Sequence, residues 1–136
     1  MSKLLFMLAI VAQQPAGRVF SAAVTSLVVW DVSEATMVPA GLLAATIAHE
    51  SGFKVTARRG PCCGLGQVDH RYSAFTCAEM RSNVDVSVLA SAIALKTWRK
   101  KADSWHGALA CYATGNSCAG TVYADKVMEI WKTYRR

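Results

Sequence analysis

The sequence has no internal repeat, no low-complexity segment and no alternation of polar and apolar residues sustained enough to indicate a β-strand. None of its five cysteines stands in a C-x-x-C pair, so we expect no metal site, and we expect no cofactor. Charged residues make up only 18% of the 136 residues and hydrophobic residues 53%, which excludes a disordered chain. The length suits one domain with a true hydrophobic core and is too short for two.

The charge balance is basic, with 15 Lys and Arg against 9 Asp and Glu and a formal net charge of +6. This excess favours a polyanionic partner such as nucleic acid, anionic lipid or an acidic cell-wall polymer. The basic residues gather at Arg58 and Arg59, between residues 96 and 101, and at the C-terminus. These clusters lack the interleaved aromatic pattern of a nucleic-acid platform. We therefore interpret them as solvated helix faces and expect no nucleic-acid partner.

The cysteine pattern favours disulfides over metal binding if the chain works outside a reducing cytosol. Cys111 and Cys118 can close a short loop, and Cys77 can pair with either Cys62 or Cys63. The odd number of cysteines leaves at least one thiol free.

Residues 1–16 form a segment ahead of the domain that we expect at residues 17–136. The apolar run in this segment resembles a short signal peptide with a poor cleavage pattern, and a first helix buried in the fold is the favoured alternative. Gln13, Gln14 and Pro15 interrupt the run, which is therefore too short to cross a membrane.

Helical periodicity runs through the rest of the chain and predicts a mainly α fold. The predicted helices cover residues 3–14, 18–30, 39–51, 86–101, 104–112 and 121–135. Asn83 is a suitable N-cap for the fourth of them. Between residues 52 and 82, Gly, Pro, Cys and Arg break the pattern. We predict a long irregular segment there, and such segments in compact domains are usually functional or tied down.

One carboxylate stands where the helical pattern requires an apolar side chain. Leu43, Ile47 and Glu50 share a stripe on the third predicted helix. Pro39 suits the first turn of this helix and Gly52 its C-terminal cap. Glu50 then lies in the last turn, where burial and the helix dipole both raise the pKa of a carboxyl group. A pKa near neutrality suits a general acid, whereas an exposed Glu at a frayed helix end is the alternative.

Two further segments follow this helix end in order along the chain. Gly64-Leu65-Gly66-Gln67 lies in the irregular segment, and Cys111-Tyr112-Ala113-Thr114-Gly115 ends a later helix. Together with Glu50-Ser51-Gly52-Phe53, they resemble the E-S-G-F helix end, the G-L-M-Q loop and the A-Y-N-A-G turn of the soluble lytic transglycosylase domain. The resemblance covers roughly residues 17–136. It implies a mainly α, lysozyme-like single domain of the goose type with a long irregular loop segment.

The resemblance implies a peptidoglycan-cleaving enzyme in which Glu50 is the single catalytic acid. Such enzymes break the β-1,4 bond between N-acetylmuramic acid and N-acetylglucosamine. Protonated Glu50 would donate its proton to the glycosidic oxygen while oxocarbenium character develops at the sugar. The resulting carboxylate would take a proton from the muramoyl 6-hydroxyl, which closes a 1,6-anhydro ring without consuming water.

The resemblance also implies supporting roles for residues around the acid. Ser51 would orient the acid or a substrate group, with capping of the helix end as the alternative. Gln67 would contact substrate through its amide, while Gly64 and Gly66 would let the loop backbone approach the sugar closely. Tyr112 would hydrogen-bond the catalytic carboxylate, and it can also serve as a core aromatic on its helix.

The sequence departs from the family pattern at two places. Gly66 stands where the family often has Met, which removes a side chain that lines the glycan groove. Ala113 and Thr114 replace the usual Asn-Ala, so Thr114 or Asn116 would have to supply the missing contact with substrate. Both departures bear on substrate binding more than on the acid.

Two other functions stay open beside an active lytic transglycosylase. A hydrolytic muramidase would use Asp69 as a second carboxylate, although a solvated loop residue is the more frequent role of such an Asp. A structural or glycan-binding component would keep the fold without turnover. The expected partners are peptidoglycan glycan strands and a larger phage particle or secretion assembly. The expected location is a phage virion, the periplasm or another extracytoplasmic space, where the enzyme would open the cell wall locally.

Overall fold

The structure, a computed structural model, describes residues 1–134. Within that range the chain is mainly helical, as its periodicity predicts. The helices are α1 (Lys3–Val11), α2 (Val19–Thr36), α3 (Ala40–Ser51), α4 (Cys77–Ser82), α5 (Val84–Lys101), α6 (Trp105–Thr114) and α7 (Thr121–Tyr134). Short 3-10 turns cover Ala16–Arg18, His70–Tyr72 and Gly115–Ser117. The predicted end of the last helix at residue 135 lies outside the described residues.

Helix α3 is the buried centre of the fold. Every residue from Ala40 to Ile47 is buried, so the helix reaches solvent only in its last turns. Helices α2, α5 and α7 pack around it. The helix ends where Gly52 takes a left-handed φ of 59° and donates its N–H to the carbonyl of Ala48. The predicted cap at Gly52 is confirmed, and Glu50 lies where the helix leaves the core.

Helix α2 continues to Thr36, whereas the prediction ended at residue 30. The polar side chains in this stretch bond to nearby carbonyls and so do not break the helix. Ser33 Oγ donates to the carbonyl of Val38 at 2.6 Å, and Thr36 Oγ1 donates to that of Val32 at 2.8 Å. Met37, with a φ of 65°, then ends the helix.

The segment between residues 52 and 82 is less irregular than predicted. It contains a three-stranded antiparallel sheet with the strands β1 (Arg58–Arg59), β2 (Cys62–Cys63) and β3 (Val68–Asp69) in that order. Helix α4 follows, opened by a capping box between Thr76 and Glu79. Strands of two residues are too short for alternation to appear in a sequence, which is why the pattern did not predict them.

Two disulfides tie this irregular region and the α6–α7 turn to the helices. Cys63 pairs with Cys77 and links β2 to α4, while Cys111 pairs with Cys118 at the end of α6. Both pairs are among those expected from the sequence, and Cys62 keeps the free thiol. The disulfides fit a chain that works outside a reducing cytosol.

The first helix belongs to the same hydrophobic core as the rest of the chain. Phe6 and Ile10 are fully buried, and the Phe6 ring lies 5.5 Å from the ring of Trp30 on α2. Removal of residues 1–16 as a signal peptide stays a prediction. No helix within residues 1–134 combines the length and apolar character needed to cross a membrane.

Candidate functional site

Glu50 is half-buried in the last turn of α3 and is held by a single phenol. Tyr123 of α7 donates its hydroxyl proton to Glu50 Oε2 at 3.0 Å. Burial raises the pKa of the Glu50 carboxyl from 4.5 to about 7, although the Tyr123 hydrogen bond and the charge of Arg59 act in the opposite direction. The predicted upward shift is confirmed, with burial as its largest cause. Near neutral pH this carboxyl can therefore both donate and accept a proton.

Tyr123 is the functional side chain that sequence reasoning missed. Nothing local in the sequence indicates that its hydroxyl has a partner 73 residues away. Its ring lies edge-on to His49 at 5.1 Å and stacks on Tyr112 at 6.4 Å. Burial raises the pKa of the Tyr123 phenol well above its ordinary value, so the hydroxyl stays protonated as the donor to Glu50.

Tyr112 does not make the hydrogen bond to the Glu50 carboxylate that the resemblance implied. Its hydroxyl donates to the carbonyl of Gly66 at 2.6 Å and lies 3.0 Å from Ser91 Oγ. Tyr123 makes the bond to the carboxylate instead, because α7 packs directly against α3. The expectation for Tyr112 is therefore corrected: this residue joins the end of α6 to the glycine-rich loop.

The two glycines of the loop face the protein's own side chains and backbone. A Cβ at Gly66 would lie 2.4 Å from Ser91 Oγ and 2.7 Å from the Tyr112 hydroxyl. Gly64 has a φ of 80°, and a Cβ there would lie 2.4 Å from Ser87 Oγ. These contacts give a packing reason for both glycines, and they explain why a methionine does not fit at position 66. Close approach of this loop to a sugar stays a prediction.

Three other predicted residues use their polar groups within the protein. Gln67 is nearly buried with a φ of 49°, and its Nε2 donates to the carbonyl of Gly64 at 2.9 Å. Ser51 Oγ donates to the carbonyl of Ile47 at 3.2 Å, one turn back within α3, whereas Gly52 caps the helix. Thr114 Oγ1 donates to the Ala110 carbonyl and accepts the N–H of Ala119. Contacts of these three with substrate stay predictions.

A groove of about 700 Å³ runs beside this network. Residues considered for the site from the sequence that line it are Gln67, Asp69, Tyr112, Thr114 and Asn116. Glu50 is not among the lining residues. Two residues that do line the groove, Cys62 and Tyr112, interact electrostatically with its carboxylate. Glu50 therefore lies near this side of the groove without lining it.

Asp69 lines the same groove but is tied to Arg71. The two side chains form an ion pair with 2.7 Å between Arg71 Nη2 and Asp69 Oδ2, and Arg71 Nε donates to Asp69 Oδ1 at 3.0 Å. Hydrogen bonding to Arg71 lowers the pKa of the Asp69 carboxyl below its usual range. Asp69 is therefore an ionised and charge-compensated group, unlike Glu50.

No protein-family model, no curated protein and no solved structure matches this chain. Within residues 1–134, no group of three or more His, Cys, Asp or Glu side chains is placed to hold a metal ion. The groups available for chemistry are the Glu50 carboxyl, the phenols of Tyr112 and Tyr123, and the polar side chains of the groove.

Proposed function

We propose that this protein is a lysozyme-like lytic transglycosylase that cleaves peptidoglycan with Glu50 as its single acid and base. The observation that carries the proposal is the half-buried Glu50 carboxyl, with its pKa of about 7 and its hydrogen bond from Tyr123. A carboxyl with an ordinary pKa would be almost wholly ionised at neutral pH. A group with a pKa near 7 is present in both forms and serves equally as donor and acceptor.

The connection of the three sequence segments through Tyr123 supports the proposal. Tyr123 holds Glu50 and stacks on Tyr112, and Tyr112 hydrogen-bonds the carbonyl of Gly66 next to Gln67. Two aromatic rings thus connect the acid to the loop and to the groove. A glycan strand in the groove would meet the loop and the α6 turn while its scissile bond lies at the Glu50 edge.

The ion pair of Asp69 with Arg71 favours transglycosylation over hydrolysis. Glycoside hydrolases of the common type use two carboxyl groups, one as acid and one as base or nucleophile. Here the charge of Asp69 is compensated by Arg71. In the proposed reaction Glu50 protonates the leaving oxygen as the glycosidic bond breaks. The muramoyl 6-hydroxyl oxygen then bonds to the anomeric carbon, and its proton returns to Glu50.

The charge and the disulfides agree with a wall substrate outside the cytosol. A net charge of +6 attracts an acidic polymer such as the bacterial wall. Disulfides persist in the periplasm and on extracellular particles. We therefore propose that the protein works in a phage particle or a secretion assembly and opens peptidoglycan locally.

Digestion of purified peptidoglycan, with mass analysis of the released muropeptides, tests the proposal. We expect 1,6-anhydro ends from the wild type and no release from Glu50→Gln, while Glu129→Gln, at an exposed position on α7, keeps full activity. Reducing ends would indicate a hydrolytic muramidase. Absence of any release would leave only a glycan-binding or structural role, and activity in Glu50→Gln would overturn the assignment of the acid.

A further inference from the structure

One wall of the groove is a stripe along α5. Ala90, Ala94, Trp98 and Lys101 follow each other at helical spacing, and all four line the groove. The hydroxyl of Ser91, next to Ala90, lies 3.0 Å from the Tyr112 hydroxyl, so this end of α5 adjoins the Glu50 site. At 1.5 Å per residue, Lys101 lies roughly 16 Å farther along the helix. The groove therefore has a distal end, well separated from the acid.

This distal end has an aromatic face and an uncompensated positive charge. Lys101 Nζ lies 5.0 Å from the centroid of the Trp98 ring. Lys101 is exposed, it is the only Lys or Arg that lines the groove, and no ion pair within residues 1–134 involves it. Asp69, the only Asp or Glu of the lining, is already paired with Arg71. The ammonium group is thus free to meet an anionic ligand.

We propose that Trp98 and Lys101 form a distal subsite for a carboxylate-bearing sugar of the glycan strand. The indole offers apolar ring surface to the C–H face of a pyranose, beside the Lys101 ammonium that lies over the ring. The ammonium would pair with a carboxylate, either the lactyl group of a muramoyl residue or a carboxylate of its stem peptide. A neutral polymer of N-acetylglucosamine has no such group. This subsite, which rests on the proposed function, would make the enzyme prefer muramoyl-containing strands.

The distance from the acid determines which kinetic constant the subsite affects. A contact roughly 16 Å along α5 from the end that adjoins the Glu50 site is made equally in the ground state and the transition state. Loss of Lys101 should therefore raise KM and leave kcat unchanged. A purely structural role of Lys101 would not be specific to this residue. Lys101 lies in the last turn of α5, where any cation interacts favourably with the helix dipole. Lys100 shares that turn but does not line this groove, so it is the matched control.

Binding is measured by calorimetry in the Glu50→Gln background, which holds substrate without turnover. The probes are glycan strands stripped of peptide, the same strands with their stem peptides, and a neutral N-acetylglucosamine oligomer. We expect Lys101→Gln to weaken binding of a carboxylate-bearing probe roughly threefold to fivefold, the size of an exposed ion pair. Lys101→Arg should restore it, and added salt should reduce it in the parent. The probe that loses affinity identifies the lactyl or the peptide carboxylate.

Two controls separate the subsite from general sugar binding. The neutral oligomer should bind equally with and without Lys101, and Lys100→Gln should bind every probe like the parent. Trp98→Ala should weaken all three probes, because each presents a pyranose face to the indole.

The outcomes separate this subsite from the proposed function. Equal losses on neutral and acidic probes, or no loss on any, would overturn the subsite even if the wild type cleaves peptidoglycan. Failure of the wild type to release muropeptides would overturn the proposed function, whatever the binding data show. A wild type that cleaves and a Lys101→Gln variant with raised KM on muramoyl strands alone would support both.

Discussion

Replacing Glu50 with Gln should stabilise the folded state at alkaline pH and change it little at acid pH. The Glu50 carboxyl has a pKa of about 7 in the fold against 4.5 for an ordinary Glu, so the folded state binds this proton more tightly. The contribution to stability is fully present below pH 4.5 and is lost as the pH rises through 7. Glutamine resembles the protonated acid and never ionises. It can also accept the hydrogen bond from Tyr123.

The size of the effect follows from the two pKa values. The rise from 4.5 to about 7, at 1.36 kcal/mol per unit, corresponds to about 3 kcal/mol of unfolding free energy. For a domain of 136 residues this is a shift of roughly 10 °C in Tm. Surface substitutions usually change stability by only about 0.5 kcal/mol, so the effect stands well above that background.

Urea unfolding at about pH 4 and about pH 8 measures the predicted difference. Glu129→Gln, whose carboxylate is exposed on α7, controls for the loss of one negative charge. We expect Glu50→Gln to gain little over the wild type at the acid pH and about 3 kcal/mol at the alkaline pH. A gain that does not grow with pH would show that burial does not shift this carboxyl. The physical basis for a neutral-pH acid would then be lost.

Three further changes test contacts around the site. Tyr123→Phe removes the hydrogen bond that lowers the pKa of the acid, so the alkaline limb of the pH–rate profile should move to higher pH. Tyr134→Phe, on the same helix but outside the groove, should leave the limb in place. Gly66→Met should cost about 1–3 kcal/mol in thermal unfolding, because its Cβ meets Ser91 at 2.4 Å. Adding Ser91→Gly should recover part of that cost, and strict additivity of the two changes would contradict the packing argument. Burial raises the pKa of the Cys62 thiol. Iodoacetamide should therefore label Cys62 more slowly in the folded protein than in the urea-unfolded protein at a pH near 8, and equal rates would refute this.

Short-range signals in the sequence predicted the elements that depend on neighbouring residues. The apolar run that ends at Glu50 predicts helix α3, and the left-handed cap at Gly52 lies where a glycine follows the last turn. Asn83 caps α5 as predicted, with its side chain accepting the N–H of Val86 at 3.1 Å. These features are visible because helical periodicity and capping act over three or four residues.

Contacts between distant segments lay beyond the sequence argument. Gly66 is required because the side chains of Ser91 and Tyr112 lie against it. They reach it only when α5 and α6 pack on the loop. The sequence did not decide which of Cys62 and Cys63 pairs with Cys77. In the structure Cys63 forms that disulfide and Cys62 keeps the free thiol. Whether a loop residue is buried depends on the helices and strands that pack over it. A single sequence does not specify that packing.

By itself the sequence determined that a carboxylate ends a buried helix, because apolar residues at helical spacing continue to the turn that carries Glu50. The tertiary structure decided how that carboxylate is held. It placed Tyr123 of α7 against α3 and made Tyr112 a support of the loop. Helix formation is local, whereas the partner of a side chain depends on which helices pack together.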